Sequence, residues 1–266
     1  SHVVKWYGFD AETDEKIDLS RYAEYRSGRR RCYVKVAGRR QFFPKRELHT
    51  IEYSIERTYQ GIYQDLKAAI GVSRRRSITE SPVEGLTFAR YAVGLYLRKE
   101  KQDDPRYARL RGASAALHGL IRVLLFKRFE SSVEAFRQTV GRMIASHQDY
   151  RQAIFQGRLP SEMDAELILQ ELGEAQEDEF DGFVQTAMSP NGLEDFHRES
   201  LLRDLDHDLE LLRRILDLVI PITPEKDAKL AVLLRRLDEP PLAGRKRLIF
   251  TQYTDTAEYL YRNLNP

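Results

Sequence analysis

The chain has 266 residues, enough for one large or two small domains, and its 43 basic and 41 acidic residues leave a net charge of +2. That balance points to no polyanionic partner for the chain as a whole, although basic residues cluster early and acidic ones late. A single cysteine, Cys32, excludes an intramolecular disulfide framework and is typical of a reducing compartment. No apolar run approaches the roughly 20 residues that span a membrane, and no signal peptide is evident, so we expect a cytoplasmic protein without a membrane partner.

The first 55 residues predict a small β element within a strongly basic context. Alternating apolar and polar residues predict strands over Cys32–Val36 and Leu48–Ile55. The segment Arg26–Arg46 contains nine lysines and arginines and no acid. Its cations are interleaved with aromatic residues, namely Tyr33, Phe42 and Phe43. Such a segment can neutralise phosphates and cover bases, but a basic surface that packs on an acidic one, or a flexible segment, explains the composition equally well.

Helical periodicity dominates from residue 55 onward. The predicted helices cover Ile55–Ile70, Leu86–Leu97, Ala113–Phe129, Ser132–Gly157, a short stretch from Pro160, Leu201–Val219 and Lys226–Leu237. Acidic residues over 171–181 predict a solvated linker. Leucines in Leu201–Val219 step by four and three, which predicts a seam for packing on another helix. We expect that partner to be the helix from Ser132 to Gly157.

The last part of the chain predicts one strand, a turn and a helix. Leu248–Phe250 is a short continuous apolar run, typical of a strand buried on both faces of a parallel sheet. A polar turn over 251–255 follows, and apolar residues then recur at helical spacing to Leu264. Ligands of α/β units lie at the carboxyl ends of strands, which is where Gln252 falls. Because one strand forms no sheet, we expect the missing strands in polypeptide beyond residue 266.

The predicted fold is therefore mainly α, a helical body with a small early β element and one late strand-turn-helix unit. We expect three regions, which cover 1–55, 56–224 and 225–266. The final strand-turn-helix unit would be the beginning of an α/β domain that the chain does not complete.

Several short motifs imitate catalytic or metal sites. No Gly-x-x-x-x-Gly-Lys-Ser/Thr loop is present to cradle nucleotide phosphates. Asp178-Glu-Phe-Asp181 imitates a magnesium box without the apolar strand that must precede one, and Gln138-Thr-Val-Gly-Arg142 imitates an arginine-finger motif inside an ordinary amphipathic helix. Adjacent residues of Asp206-His207-Asp208 point apart on a helix, which favours a solvated face over a metal site. The sequence thus predicts no catalytic residue and no metal.

Three segments stand out together, namely Phe43–Tyr53, Lys127–Ser132 and Lys246–Leu260. As a set they resemble the Swi/Snf-type ATPases of helicase superfamily two, in particular the bacterial members. Phe43–Tyr53, with Glu56 and Tyr63, is similar to the last strand of the first RecA-like lobe and the helix after it. Lys127-Arg-Phe-Glu-Ser-Ser132 is similar to the Lys-Arg-Leu-Glu-Ser-Ser signature of bacterial members. Lys246–Leu260 is similar to motif IV, which opens the second lobe, and Asp227–Leu237 resembles the helix before it. The motifs that hold ATP, magnesium and the arginine finger are absent from this sequence.

The resemblance implies a central fragment of an ATP-dependent double-stranded DNA translocase, running from the end of the first lobe through helical protrusions to motif IV. The parent would bind ATP and magnesium, whereas this chain alone is predicted to hold no cofactor and to be inactive. Its implied partners are the remaining parts of the two lobes and double-stranded DNA, contacted at the backbone without base discrimination. The residues expected at the DNA backbone are Thr251, Gln252, Tyr253, Arg245, Lys246, Arg29, Arg30 and Arg31.

A second interpretation belongs to a different class of protein. The alternative is a free-standing helical module that binds a nucleic acid, or a partner helix through the Leu201–Val219 seam. The encoding gene discriminates between the two, because flanking P-loop and Gln-x-x-Gly-Arg motifs are expected only for the ATPase.

Overall fold

A computed structural model describes residues 7–18, 31–42, 48–71, 77–82, 84–159 and 193–265. The chain divides into two compact units, residues 1–52 and 53–266, so the predicted regions 56–224 and 225–266 fall in one unit. The predicted helix from Pro160 and the acidic linker over 171–181 lie outside the described residues. No described helix is both long enough and apolar enough to cross a bilayer.

The first unit contains an antiparallel sheet of four strands in the order β2-β1-β3-β4. Its strands are β1 (Tyr7–Asp10), β2 (Lys16–Asp18), β3 (Cys32–Val36) and β4 (Arg39–Phe42). Strands β3 and β4 form a hairpin through Ala37-Gly38, where φ is 48° and 76°, as a tight two-residue hairpin turn requires. The predicted strand over Cys32–Val36 is confirmed.

The chain between residues 48 and 70 differs from the prediction. Residues 48–54 form no strand, and most of them are exposed, because no described segment pairs with them. The predicted single helix is broken into α1 (Ile55–Tyr59) and α2 (Tyr63–Ile70). Gln60 and Gly61 lie between them with φ of 48° and 88°, the left-handed conformation that ends a helix. The apolar periodicity survives the break, since Leu66 and Ile70 still face the core.

Three long helices form the body of the second unit. They are α3 (Ala108–Ser131), α4 (Val133–Phe155) and α5 (Arg198–Val219). Ser132 separates α3 from α4 in an extended conformation, and its hydroxyl caps α4 by accepting the Ala135 N–H. Helix α5 packs along α4, and its seam leucines, Leu201, Leu205, Leu209 and Leu212, are buried. The predicted packing of the seam is therefore confirmed.

The segment over Leu86–Leu97 is not the helix that the sequence predicts. It forms 3-10 turns at Ala89–Tyr91 and Val93–Tyr96, followed by others at Lys99–Lys101 and Pro105–Tyr107. Phe88 adopts a left-handed φ of 52°, which no α-helix permits. Gly94 lies so close to α3 that a Cβ there would come within 2.8 Å of the Ser114 hydroxyl. Contact with α3 and α5 therefore sets this backbone instead of its local periodicity.

The end of the chain contains α6 (Ala228–Asp238) and α7 (Thr254–Leu264). The predicted helix over Lys226–Leu237 is confirmed, preceded by a short 3-10 turn at Pro224–Lys226. The described residues Leu248–Phe250 form no strand, and Leu248 and Phe250 are 85% and 89% exposed. A strand without a neighbour has no partner for its backbone hydrogen bonds, which explains the difference. The fold is thus mainly α with a small early sheet.

Candidate functional site

Distant segments of the second unit meet at the C-terminal end of α3. The Phe129 ring lies 4.3 Å from the Tyr59 ring and 5.5 Å from the Tyr63 ring, between centroids. Neighbouring residues of the α3–α4 corner contact the turn before α7 and the first turn of α7. We call this second set of contacts the junction. Its members are Arg128, Ser131, Ser132, Arg142, Tyr253, Asp255 and Thr256.

A fully buried arginine forms the centre of the junction. The Arg128 side chain has no exposed surface, and its Nη1 donates to Asp255 Oδ2 at 3.0 Å. Its guanidinium also lies 3.8 Å from the centroid of the Tyr253 ring. A buried guanidinium is costly unless an anion and a π face replace its water, and here Asp255 and Tyr253 supply both.

The same carboxylate oxygen accepts a second arginine. Arg142 Nη2 donates to Asp255 Oδ2 at 2.8 Å, from a helix that precedes α7 by about a hundred residues of chain. The Arg142 side chain is 32% exposed, so solvent screens this pair more than the Arg128 pair. Asp255 lies in the first turn of α7, where the helix dipole also favours a negative charge.

Hydroxyl groups complete the junction. The Thr256 hydroxyl lies 2.9 Å from the Ser131 hydroxyl and 3.0 Å from the Ser132 hydroxyl. Ser132 therefore caps α4 and binds the start of α7 at once. Thr256 is buried, so these contacts satisfy polar groups that water does not reach.

A buried carboxylate, Asp227, joins α6 to α7. Asp227 Oδ1 caps α6 by accepting the N–H groups of Lys229 and Leu230, and its Oδ2 accepts the Tyr259 hydroxyl at 3.1 Å. Burial, and next the charge of Asp227, raise the pKa of Tyr259, so this phenol remains a protonated donor. The Ala228 N–H donates to the Thr58 hydroxyl at 3.1 Å, which ties α6 to α1 as well.

The last carbonyls of α3 are bound by side chains from other elements. Lys229 Nζ donates to the carbonyls of Glu130 and Ser131 at 2.8 and 2.7 Å, and the Tyr59 hydroxyl donates to Phe129 O at 2.9 Å. Burial lowers the pKa of Lys229, while the nearby acids Asp227 and Glu130 act in the opposite direction. A cation at a helix C-terminus also complements the helix dipole.

The predicted DNA-contact residues of the second unit do not all face solvent. Arg245, Lys246 and Gln252 are exposed, and Thr251 is partly exposed. Tyr253 is 3% exposed, and its ring faces Arg128. The side chain of Tyr253 is therefore part of the junction instead of the surface.

The predicted contacts of the first unit are described only in part. Arg31 is exposed, and its guanidinium lies 5.2 Å from the centroid of the Phe42 ring. Arg29 and Arg30 lie outside the described residues. Arg31 belongs to a different unit from the other described contacts.

Sequence reasoning missed Arg142 and Asp208. The interpretation of Gln138–Arg142 as an ordinary helix face overlooked the Arg142 contact with Asp255. The predicted solvated face is wrong for Asp208, whose buried carboxylate accepts the Thr87 N–H at 2.6 Å and the Ala89 N–H at 3.0 Å. Burial raises the pKa of Asp208 to about 6. A signal was present, because Asp208 lies three residues after one seam leucine and four before another.

Metal ligation and similarity to known proteins add no further assignment. Within the described ranges, no three histidine, cysteine or acidic side chains lie together in a way that could hold a metal ion. Asp178–Asp181 lies outside those ranges. Comparison of the chain with protein-family models, curated proteins and solved structures finds no match.

Proposed function

We propose that this chain is the central part of an ATP-dependent double-stranded DNA translocase of the Swi/Snf type. The observation that carries the proposal is the meeting of three segments, 53–63, 127–132 and 253–256, around one helix end. Segments 127–132 and 253–256 lie within the sequence resemblance, and segment 53–63 shares Tyr53, Glu56 and Tyr63 with it. All three are far apart in the chain. A chance resemblance of three separate segments gives no reason for them to contact one another.

In the proposed role, the junction fixes the start of the second lobe to the helical body. In ATP-driven translocation, a movement of one lobe must displace the parts of the protein attached to it by the same amount. A buried arginine shared with a carboxylate and a ring specifies one geometry, because any other arrangement leaves a buried charge without its partner. The stretch that leads into the junction carries the exposed residues Arg245, Lys246 and Gln252. Contacts that these residues make with the DNA backbone would therefore have a fixed position relative to the helical body.

The exposed apolar run Leu248–Phe250 agrees with this role. Large apolar side chains exposed together typically mark a contact surface. The proposal assigns this run to a strand of the second lobe, which would pair with the remaining strands of that lobe. ATP and magnesium would be bound by those remaining parts.

The alternative function, a free-standing binding module, has two forms, and one of them conflicts with the buried seam of α5. Its partner-helix form needs a free seam on α5, but Leu205, Leu209 and Leu212 are buried where α5 packs against α4. Its nucleic-acid form remains a second candidate, since the sheet of the first unit presents aromatic and basic side chains together.

The test uses the encoding gene and the full-length protein. We expect the reading frame to encode a phosphate-binding loop upstream and a Gln-x-x-Gly-Arg motif downstream, and a frame with neither refutes the proposal. In the full-length protein, Asp255→Asn should lower DNA-stimulated ATPase activity without changing ATP affinity. Glu258→Gln, at a 58% exposed side chain of the same helix, is the matched control and should leave the rate unchanged. The 266-residue chain alone should show no ATPase activity above buffer.

A further inference from the structure

One face of the small sheet presents a row of side chains across all four strands. Register pairs Lys16 with Phe9, Phe9 with Tyr33, and Tyr33 with Phe42, and residues that face each other across strands share a side of the sheet. The Phe9 and Tyr33 rings are stacked with centroids 5.4 Å apart, and the Tyr33 and Phe42 centroids are 5.5 Å apart. Tyr7, two residues before Phe9, extends the aromatic surface along β1.

Each ring of this face has a cation beside it. Lys16 lies 4.8 Å from the Tyr7 ring centroid, Lys35 4.3 Å from Phe9, Arg40 4.9 Å from Tyr33, and Arg31 5.2 Å from Phe42. Long basic side chains resting on rings at the surface remain free to turn toward an anion, because the exposed interaction is weak. The side chains of Lys35 and Arg40 are 46% and 53% exposed.

Acidic groups offset only part of this charge. Asp14 lies 3.4 Å from Arg40 and 3.9 Å from Lys35, and Asp18 pairs across from Tyr7 on the same face. Among the residues that the structure describes, these four cations therefore share the face with Asp14 and Asp18. Tyr33, at the centre of the row, is fully buried, whereas Tyr7 is 50% exposed and Phe42 43% exposed, so these two outer rings are the ones open to a base.

We propose that this face binds single-stranded DNA, with bases stacked on Tyr7 and Phe42 and phosphates bound by Lys16, Lys35, Arg31 and Arg40. Aromatic rings interleaved with cations are the combination that binds unpaired strands without base preference. A duplex offers these rings no free base faces, since its bases stack on one another. The choice of DNA over RNA rests on the proposed function, whereas the preference for an unpaired strand rests on the sheet alone.

The experiment is a fluorescence-anisotropy titration of the whole chain with a labelled single strand of about 12 nucleotides, within the usual site size. Phe42→Ala should weaken binding by about 5- to 100-fold, and Phe42→Trp should retain it. Phe155→Ala, which removes a 58% exposed ring of the second unit, is the matched control and should bind as the parent does. Thermal melting of each variant shows whether the fold is intact.

A charge variant tests the phosphate contacts independently of the rings. Changing Lys35 and Arg40 together to glutamine should flatten the log–log salt slope by about 1.4, at about 0.7 per phosphate of a single strand. Changing Arg235 and Arg262 to glutamine, at 65% and 61% exposed side chains of the second unit, should leave the slope unchanged. This pair of variants carries the test if Phe42→Ala fails to fold.

Several outcomes overturn the proposal. Duplex of the same sequence losing as much affinity in Phe42→Ala as the single strand does, or the single strand binding Phe42→Ala like the parent, would indicate a generic polyanion contact. Single-stranded RNA binding more than about tenfold tighter would overturn the choice of DNA. Asp255→Asn should not affect this binding, so failure of the sheet proposal and failure of the ATPase proposal are distinguishable.

Discussion

The substitution Asp255→Asn tests the physical basis of the junction directly. It removes the charge that Arg128 and Arg142 share and retains the shape of the side chain. The Arg128 side chain has no exposed surface, so water cannot replace the lost charge, whereas the Arg142 side chain is 32% exposed and can turn to solvent. We therefore expect the loss to come almost entirely from the Arg128 half of the junction.

The magnitudes separate the two pairs. Removing one partner of a buried ion pair costs about 3–5 kcal/mol, and an asparagine oxygen that still accepts one hydrogen bond places the expected loss near the lower value. An exposed pair contributes about 0–1 kcal/mol, which sets the expected loss for Arg142→Gln. In a double-mutant cycle, Asp255→Asn should couple strongly to Arg128→Met and weakly to Arg142→Gln.

The assay is urea unfolding followed by circular dichroism, together with amide hydrogen exchange of α7. Exchange is needed because α7 could detach without global unfolding, which would increase the exchange of residues 257–264 alone. Glu258→Gln is the control, since its side chain is exposed and pairs with Arg262 of the same helix. The reasoning is refuted if Asp255→Asn changes neither measurement, or if Arg142→Gln costs as much as Asp255→Asn.

Three further substitutions test other parts of the fold. Leu209→Asp should abolish cooperative thermal unfolding, because it places an unpaired carboxylate where α5 packs on α4. The free energy of unfolding of the parent relative to Asp208→Asn should fall by about 3 kcal/mol as pH rises from about 3 to 7, since burial raises the pKa of Asp208 to about 6 and the folded state favours its neutral form. Lys229→Met should cost about 1–2 kcal/mol in urea unfolding, because two α3 carbonyls lose their donor.

Each of these has a contradicting result, and two of them have a matched control variant. Leu218→Asp, at a 38% exposed position of α5, should unfold cooperatively, and Leu209→Asp melting in the same way would show that the seam is not buried. A pH-independent difference for Asp208→Asn would mean that the carboxylate titrates alike in folded and unfolded chains. Lys226→Met removes a mostly exposed lysine and should be neutral, so an equal loss there would exclude a specific role for Lys229.

The long helices could be predicted because each buries its apolar stripe inside this chain. The leucine spacing over Leu201–Val219 needs a surface of matching length, and the helix from Val133 to Phe155 supplies it. The predicted start of this second helix, Ser132, is also the residue that caps it. Serine favours this position because its hydroxyl accepts an N–H group of the first helical turn. Local periodicity and final packing agree in these elements.

Elsewhere tertiary contacts decided the structure. Periodicity over 86–97 predicts a helix, but close packing at Gly94 and the left-handed Phe88 favour separate turns. Leu248–Phe250 has a strand composition without a partner strand in the described chain. The sequence resemblance indicated two segments of the junction, those around Arg128 and Tyr253. No sequence pattern showed that these two segments are in contact. Arg142 could not be singled out, because its partner lies 113 positions away.

The junction also has a consequence for the order in which the chain folds. Arg128 and Asp255 are 127 positions apart, and Thr58 and Ala228 are 170 apart. Helices α3 and α4 are adjacent in sequence and can pair early, whereas contacts at such separations close a long loop and form late. During synthesis, Arg128 leaves the ribosome well before Asp255. The Arg128 side chain therefore stays hydrated until the Asp255 carboxylate has been made. The step that buries this arginine therefore cannot precede the synthesis of α7, and a chain cut before Tyr253 would leave the corner between α3 and α4 uncovered.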